Sequence, residues 1–426
     1  MQAGPYYLTA QQAAAALGVT RATLYAYTSR GQVRSEPVAG RPRERRYYRD
    51  DVERLKDRKE ARRDPSKAAA HGLNWGGPVL ESGITLIHNG MFFYRGRDAA
   101  KLAETSTAEQ AAALLWALPE NEEIERERLF EQPCVLTHRE LAQLRTSAKE
   151  PLTLFQAALP IAAATDLASY DLRPAAVRQT GARIVRLLTT IIAQRDARGP
   201  IHTVLQAAWA PKRPAVGDVI RTALVLCADH ELNVSAFTAR CAASAGASPY
   251  DVVSAAMAAL KGYRHGGATE RVRALLAQAQ TPKGARIVVA NHLRRGEGVA
   301  GFGHPLYPAG DPRATVLMGL AEASGNGAEW RSVRNLSRAG SELLHDAPNL
   351  DLGLAAVARA YRLPDQAPML LFALGRTIGW IAHAIEEYAS GRLIRPRARY
   401  VGPAPLGELH GLGSGANASL ARRARV

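Results

Sequence analysis

Thirteen residues hold the densest chemistry in this chain: Gly301-Phe302-Gly303-His304-Pro305-Leu306-Tyr307-Pro308-Ala309-Gly310-Asp311-Pro312-Arg313. Three glycines and three prolines among them exclude a regular helix or strand, since glycine frees the backbone and proline removes a donor. Asp311-Pro312 then reads as a helix start, with Asp as N-cap and Pro at the first helical position. That puts His304 on a loop and Arg313 in a first helical turn, where free N–H groups and the helix dipole favour an anion. An imidazole and a guanidinium held this way would grip a polarised oxygen and a carboxylate of one small substrate.

Further polar knots interrupt apolar sequence. Asp229-His230-Glu231 follows Leu226-Cys227-Ala228; a buried His satisfied by a neighbour is the plain reading set against a functional role. At Arg264-His265-Gly266-Gly267 the paired glycines let a backbone approach closely. Asp351 sits between Leu350 and Leu352, a setting that would desolvate its carboxylate and raise its basicity. Asp as an N-cap is the commoner fate after Pro348-Asn349. Arg376 lies in a long apolar stretch, Leu370 to Ile385, where a cation needs an anionic partner.

Gly-Phe-Gly-His at 301–304 and Asp-Pro-Arg-Ala at 311–314 resemble the motif of the citrate synthase family, and the likeness extends from about Pro78 to about Pro403. The resemblance implies an enzyme: an acyltransferase that condenses acetyl-CoA with oxaloacetate to give citrate and CoA. Asp351 would be the base that takes a proton from the methyl carbon of the thioester. His265 would donate to the thioester oxygen and His304 to the ketone. Arg313, Arg376 and Arg395 would hold the carboxylates, because guanidinium pairs with them bidentately, and His230 would orient the same substrate. Arg264 beside His265 should keep that imidazole neutral. No permanently bound cofactor and no metal are required; an acyl-CoA enters as co-substrate. Lys283, Arg286, Arg294 and Arg295 give a basic approach to Gly301 that suits a solvated face and the phosphates of coenzyme A equally.

The family also implies a homodimer, with Arg395 reaching the partner's site. A large helical domain, 78–265 and 357–426, would close against a small one, 266–356. Three positions depart from the family pattern: Pro305 where a basic residue is frequent, Tyr263 where Pro is common, and Leu352-Gly353-Leu354 in place of aromatic-Ser-Gly. They alter the thioester side of the pocket. Propionyl-CoA, giving 2-methylcitrate, therefore stands as a second candidate co-substrate, since one methylene changes discrimination only modestly. Two further functions fit the same residues: a DNA-binding regulator with a synthase-like sensor domain, and a lyase running the reverse cleavage.

The elements that must position these groups are helical. Apolar residues recur at three- and four-residue steps over Thr107 to Leu118, Thr137 to Ala148, Pro174 to Gln194 and Val216 to Ala228. Leu80 to Asp98 reads as an entry hairpin. The fold class expected is mainly α, preceded by a small winged helix-turn-helix domain. In that first domain, 1–63, Tyr7-Leu8-Thr9 opens a helix with Thr9 and Gln12 as a capping box. Thr20 caps a second helix, Arg21 to Arg30, and two short strands form a wing around Gly40-Arg41-Pro42. Asp50 caps a charged helix. The segment resembles the MerR-like family, which implies DNA contact through Arg21, Thr23, Tyr25 and Arg30, with Arg41, Arg43, Arg45 and Arg46 on phosphates. Residues 64–77 read as a linker.

Composition agrees. At 426 residues the chain exceeds one core, and 47% hydrophobic with 6% aromatic residues suits closely packed helices. The net charge is +16, and residues 1–63 hold fourteen Lys+Arg against seven Asp+Glu, a basic footprint for phosphate. Three cysteines are too few for a disulfide framework. The expectation is a cytoplasmic protein with no membrane partner.

Overall fold

The computed structural model describes residues 7–38, 41–49, 51–53, 55–56, 73, 79–119, 128–195, 198–325, 327–398 and 400–402. The chain divides into two compact units, Met1–Leu393 and Ile394–Val426.

Capping chemistry shapes the N-terminal helices. The Thr9 hydroxyl accepts from the Gln12 N–H at 3.2 Å, and the Gln12 side chain accepts from the Thr9 N–H at 3.0 Å. This is the expected capping box of helix Ala10–Leu17. Gly18, at φ 60°, ends that helix, and Thr20 caps Arg21–Ser29. One local expectation fails. Tyr7–Thr9 does not open a helix but forms strand β1, antiparallel to β3 (Arg41–Tyr48), which also pairs with β2 (Ser35–Val38). Tyr7 faces Tyr48 in that register, a partner that local turn chemistry cannot reveal. Leu8, Leu17, Leu24, Val33, Tyr47 and Val52 form a core of their own. Asp50 and most of the linker 64–77 lie outside the described residues.

The body opens with a small antiparallel sheet of β4 (Thr85–His88), β5 (Met91–Tyr94) and β6 (Arg97–Asp98). Asn89-Gly90, both at positive φ, make the tight hairpin turn. Every regular element described after β6 is helical. Thr107 and Thr137 cap Ala108–Leu115 and His138–Ser147 through capping boxes. Pro174–Ala193 and Val216–Cys227 fall where the periodicity places them.

The longest helix, Ala367–Ser390, runs through the centre. It packs on Pro174–Ala193, Val216–Cys227, Val234–Ser244 and Pro249–Leu260. Its length and composition would suit a membrane span, but almost all of it is buried inside the fold. It is the core helix of a helical body; burying each of Ile378, Trp380 and Ile381 contributes about 1.5–3 kcal/mol. Beside it, Pro312–Ala323 lies against Leu350–Ala360, and Pro282–Arg294 against Gly327–Leu344. The described part of the second unit has no regular secondary structure.

Candidate active site

Six side chains far apart in sequence line one cleft of about 660 Å³: His230, His265, His304, Arg313, Asp351 and Arg376. His230 sits in the turn between Val216–Cys227 and Val234–Ser244. His265 follows Pro249–Leu260 in a turn so tight that a Cβ on Gly266 would lie 2.8 Å from the Leu260 carbonyl oxygen. His304 stands on the glycine- and proline-rich loop. There Gly303, at φ 70°, leaves a would-be Cβ only 3.0 Å from the Asp346 carboxylate. Backbone bonds stitch this loop to the helix start that carries Asp351: Gly303 N–H donates to Ala347 at 2.9 Å, and Asn349 N–H to Gly301 at 2.9 Å.

Asn349, not Asp351, caps Leu350–Ala360, its Oδ1 accepting from the Asp351 N–H at 3.1 Å. The Asp351 carboxylate is thereby released from capping. Its Oδ1 is buried without a hydrogen-bond partner. Burial pushes this carboxyl up to about 7, with Arg313 pulling the other way. That value suits a base poised at neutral pH.

The imidazoles move in the opposite direction. His265 and His304 are each lowered to about 4, first by burial and then by a guanidinium, Arg376 for His265 and Arg313 for His304. His230 is driven well below its usual value by burial, Arg313 and Arg376. All three are neutral donors or acceptors at pH 7. The expected neutrality of His265 holds, but its cause differs. Arg264 points away, over the Tyr263 ring, its Nε donating to Tyr263 Oη at 3.0 Å.

Hydrogen bonds assign the working nitrogens. His304 Nδ1 accepts from the Leu306 N–H at 3.2 Å, so the ring proton is on Nε2. His265 Nε2 is engaged by Ser235 Oγ at 2.9 Å, leaving Nδ1 for a ligand. His230 Nε2 meets Tyr307 Oη at 2.8 Å.

The two guanidinium groups differ. Arg313 is paired with Asp311, Nε to Oδ1 at 2.9 Å and Nη2 to Oδ2 at 2.8 Å. Asp311 is also the expected N-cap of Pro312–Ala323. Arg376 donates Nε to the Cys227 carbonyl at 2.9 Å. It is 1% exposed, its Nη2 has no partner, and no ion pair to it occurs among the described residues. A buried cation left so calls for an anionic ligand.

The remaining expected residues fall elsewhere. Arg395 belongs to the second unit, exposed on a stretch without regular secondary structure. Two of the four basic residues before Gly301 are paired, Arg286 with Glu342 and Arg295 with Glu297, and none of Lys283, Arg286, Arg294 or Arg295 lines the cleft. In the first domain Arg21, Tyr25 and Arg30 are exposed. The Thr23 hydroxyl instead meets Thr20 Oγ1 at 3.0 Å, within the cap. Arg46 pairs with Glu36 and Arg45 Nε donates to Ser35 at 2.8 Å, so both wing arginines have protein partners. The side chains of Arg41 and Arg43 lie outside those described. Sequence reasoning does not single out Tyr307 and Ser235 as site residues. Both lie inside polar knots, the one signal that points to them.

A helical fold around a cleft of neutral imidazoles, a desolvated acid and buried guanidinium groups suits acid–base chemistry on an anionic substrate. The description "Citrate synthase, C-terminal domain" matches residues 72–397, and "Helix-turn-helix domain" matches residues 7–60. "Citrate synthase" of Haloferax volcanii is 32% identical over 355 residues, 76% of this chain and 93% of that protein. A match to "Putative citrate synthase 2" of Mycobacterium tuberculosis is 41% identical over 187 residues, 42% of this chain, and spans half of that protein's length. Among solved structures, citrate synthase of Thermoplasma acidophilum, in a ternary complex with carboxymethyl coenzyme A and oxaloacetate, is 25% identical with a TM-score of 0.68. That likeness covers 79% of this chain and 97% of that one. The chain belongs to the citrate synthase family, with a helix-turn-helix domain at its N-terminus.

Proposed function

We propose that this chain condenses an acyl-CoA, acetyl-CoA first among them, with oxaloacetate to give citrate and free CoA. The observation that carries the reading is the meeting in one cleft of a desolvated, unpartnered Asp351 carboxylate with an unpaired, buried Arg376. The T. acidophilum enzyme, whose complex holds a coenzyme A derivative and oxaloacetate together, supports the same pair of ligands here.

Asp351 takes a proton from the thioester's α-carbon while His265, steadied at Nε2 by Ser235 Oγ, donates to the thioester oxygen. The enol carbon then attacks the ketone of oxaloacetate, whose oxygen receives a hydrogen bond or proton from His304 Nε2. Arg376 and the Nη1 side of Arg313 hold the carboxylates, and His230, steadied by Tyr307, orients the same molecule. Water cleaves the new thioester to release CoA. Residues 266–356 act as a small domain that closes over the cleft, which keeps the enol from solvent. Arg395 acts across a homodimer. The N-terminal domain binds duplex DNA through Arg21, Tyr25 and Arg30, and the whole works in the cytoplasm.

The test is thiol release from a panel of acyl-CoAs on adding oxaloacetate. Release with acetyl-CoA supports the reading, and faster release with propionyl-CoA moves it to 2-methylcitrate. No release from any member rejects it.

A further inference from the structure

Behind the cleft lies a buried acid that the mechanism does not use. Asp229 precedes His230 and is wholly buried, yet it does not line the cleft. Its Oδ2 accepts the Thr85 hydroxyl at 2.6 Å and the Glu231 N–H at 3.1 Å. Its Oδ1 stands 3.3 Å from Nε2 of His383, a side chain equally buried. Tyr94 Oη accepts the Asp229 N–H at 3.2 Å and faces the Val225 and Asp229 carbonyls at 2.9 and 3.1 Å. Backbone and side chain of Asp229 are therefore both held, and with them the turn on which His230 stands. Glu231, on the other side of His230, takes φ 53°, a left-handed conformation uncommon for a residue with a side chain. The bond from its N–H to Asp229 fastens it there.

The same acid docks this turn onto the core helix. Arg376, Gly379 and His383 follow at three- and four-residue steps along one face of Ala367–Ser390. Three successive residues lie against that face. The Cys227 carbonyl accepts Arg376 Nε at 2.9 Å. A Cβ on Gly379 would stand 2.4 Å from the Ala228 carbonyl oxygen and 2.5 Å from Asp229 Oδ1, so only glycine permits the approach. Asp229 then meets His383. Burial pushes the Asp229 carboxyl up, but His383, Arg376 and Thr85 outweigh it and hold the group below its usual value. A turn that served only as a connection would need no ionised group in the core.

We infer that Asp229, braced by Thr85 and His383, is a positioning residue that sets the place of His230 relative to Arg376. The inference rests on the reading of those two groups as holders of one oxaloacetate molecule. Two groups that grip the same small anion must keep a fixed separation, because a misplacement of about 1 Å is enough to lose most of their effect. The core helix is the rigid reference, and Asp229 ties His230 to it. Thr85 and His383 do not line the cleft either, so their influence reaches a substrate only through the turn.

The experiment uses the full chain and the variants Thr85→Val, Thr85→Ser and His383→Leu. Calorimetry measures oxaloacetate and CoA binding, and the ¹⁵N spectrum of histidine-labelled protein reports the ring nitrogens of His230. A hydroxyl bond to a carboxylate is worth roughly tenfold in an equilibrium. Oxaloacetate affinity should fall by about that factor in Thr85→Val, with CoA within about twofold, and the His230 ring signals should move. Thr85→Ser, which keeps the hydroxyl, should restore both. His383→Leu should show the same split between the two ligands; if it does not fold, the Thr85 pair decides. Unchanged oxaloacetate affinity in Thr85→Val, an equal loss for CoA, or a Thr85→Ser as impaired as Thr85→Val overturns the role. Absence of oxaloacetate binding by the unsubstituted chain rejects the reading of the cleft instead. The His230 signals alone then decide: displaced in Thr85→Val and restored in Thr85→Ser they uphold the positioning, and unmoved they overturn it.

Discussion

Replacing Asp351 by Asn should separate activity from stability in a way that depends on pH. The Asp351 carboxyl is raised from 3.8 to about 7, chiefly by burial. At about 1.36 kcal/mol per pH unit, ionising it in the folded chain costs about 4 kcal/mol more than in the unfolded one. A raised carboxyl means the folded state binds more protons than the unfolded state between those two values. Stability contributed by the protonated group is full below about pH 4, is lost as pH rises to about 7, and stays lost above. Between pH 5 and pH 8 the unsubstituted chain should lose about 2.5 kcal/mol through this one residue. Asp351→Asn cannot ionise and should lose none of it, so its relative stability should rise by about that amount over the same interval. Turnover should fall by about 10²–10⁴, the usual contribution of a general base. The assay is urea unfolding of both proteins at pH 5 and pH 8, with thiol release measured in parallel. A stability difference between the two proteins that is the same at both pH values would refute the desolvation reasoning. Near-normal turnover of Asp351→Asn would refute the base assignment.

Four further outcomes follow from the same geometry. Arg376→Leu should weaken oxaloacetate by at least about a hundredfold, in line with the loss of a buried ion-pair partner, and CoA far less; calorimetry showing equal losses would reject its role as the carboxylate holder. Tyr307→Phe, which deletes the His230 partner, should lower kcat/KM about tenfold, the scale of one hydrogen bond, with little change in melting temperature; unchanged kinetics would remove Tyr307 from the site. NMR titration should find His265 and His304 neutral from pH 6 upward, since both are lowered to about 4, and a charged imidazole at pH 7 in either would contradict the donor roles. Binding to duplex DNA should weaken steeply as salt rises and weaken again in Arg21→Ala/Arg30→Ala; retardation that ignores both changes would exclude the exposed face of helix Arg21–Ser29.

What can be read from the sequence follows the range of the forces involved. Asp311-Pro312 and Thr9 with Gln12 are legible because capping is settled within four residues. Arg376 is legible because a lone cation in an apolar helix has few fates. The strand at Tyr7–Thr9 is not, because its partner Tyr48 comes from the far side of the domain. The partner of Arg286 is hidden for the same reason, whereas that of Arg295 is not. Arg286 meets Glu342 across two packed helices, and Arg295 meets Glu297 past a helix end. Asp351 falls between these cases. Its flanking leucines announce desolvation, but its release from capping depends on Asn349 taking that task.

Asp311 explains why the acid and the cation of this cleft act as one part. Its carboxylate caps the helix of Arg313, pairs with that guanidinium, and through Oδ2 accepts the Leu350 N–H at 3.0 Å, one residue before Asp351. The two helices meet closely because Gly353 presents no side chain: a Cβ there would stand 3.1 Å from that of Leu317 and 3.2 Å from the Cα of Ala314. A buried carboxylate that ties two helix N-termini resists rotation of either, since each lost bond would leave a buried group unsatisfied. The same carboxylate occupies one edge of Arg313 and, by its charge, helps raise Asp351. Asp311 therefore sets both how strongly the dicarboxylate can be held and how basic the proton acceptor is. Any change there moves binding and proton abstraction together, whereas Arg376, which donates to a backbone carbonyl, bears on binding and on the neutrality of His265.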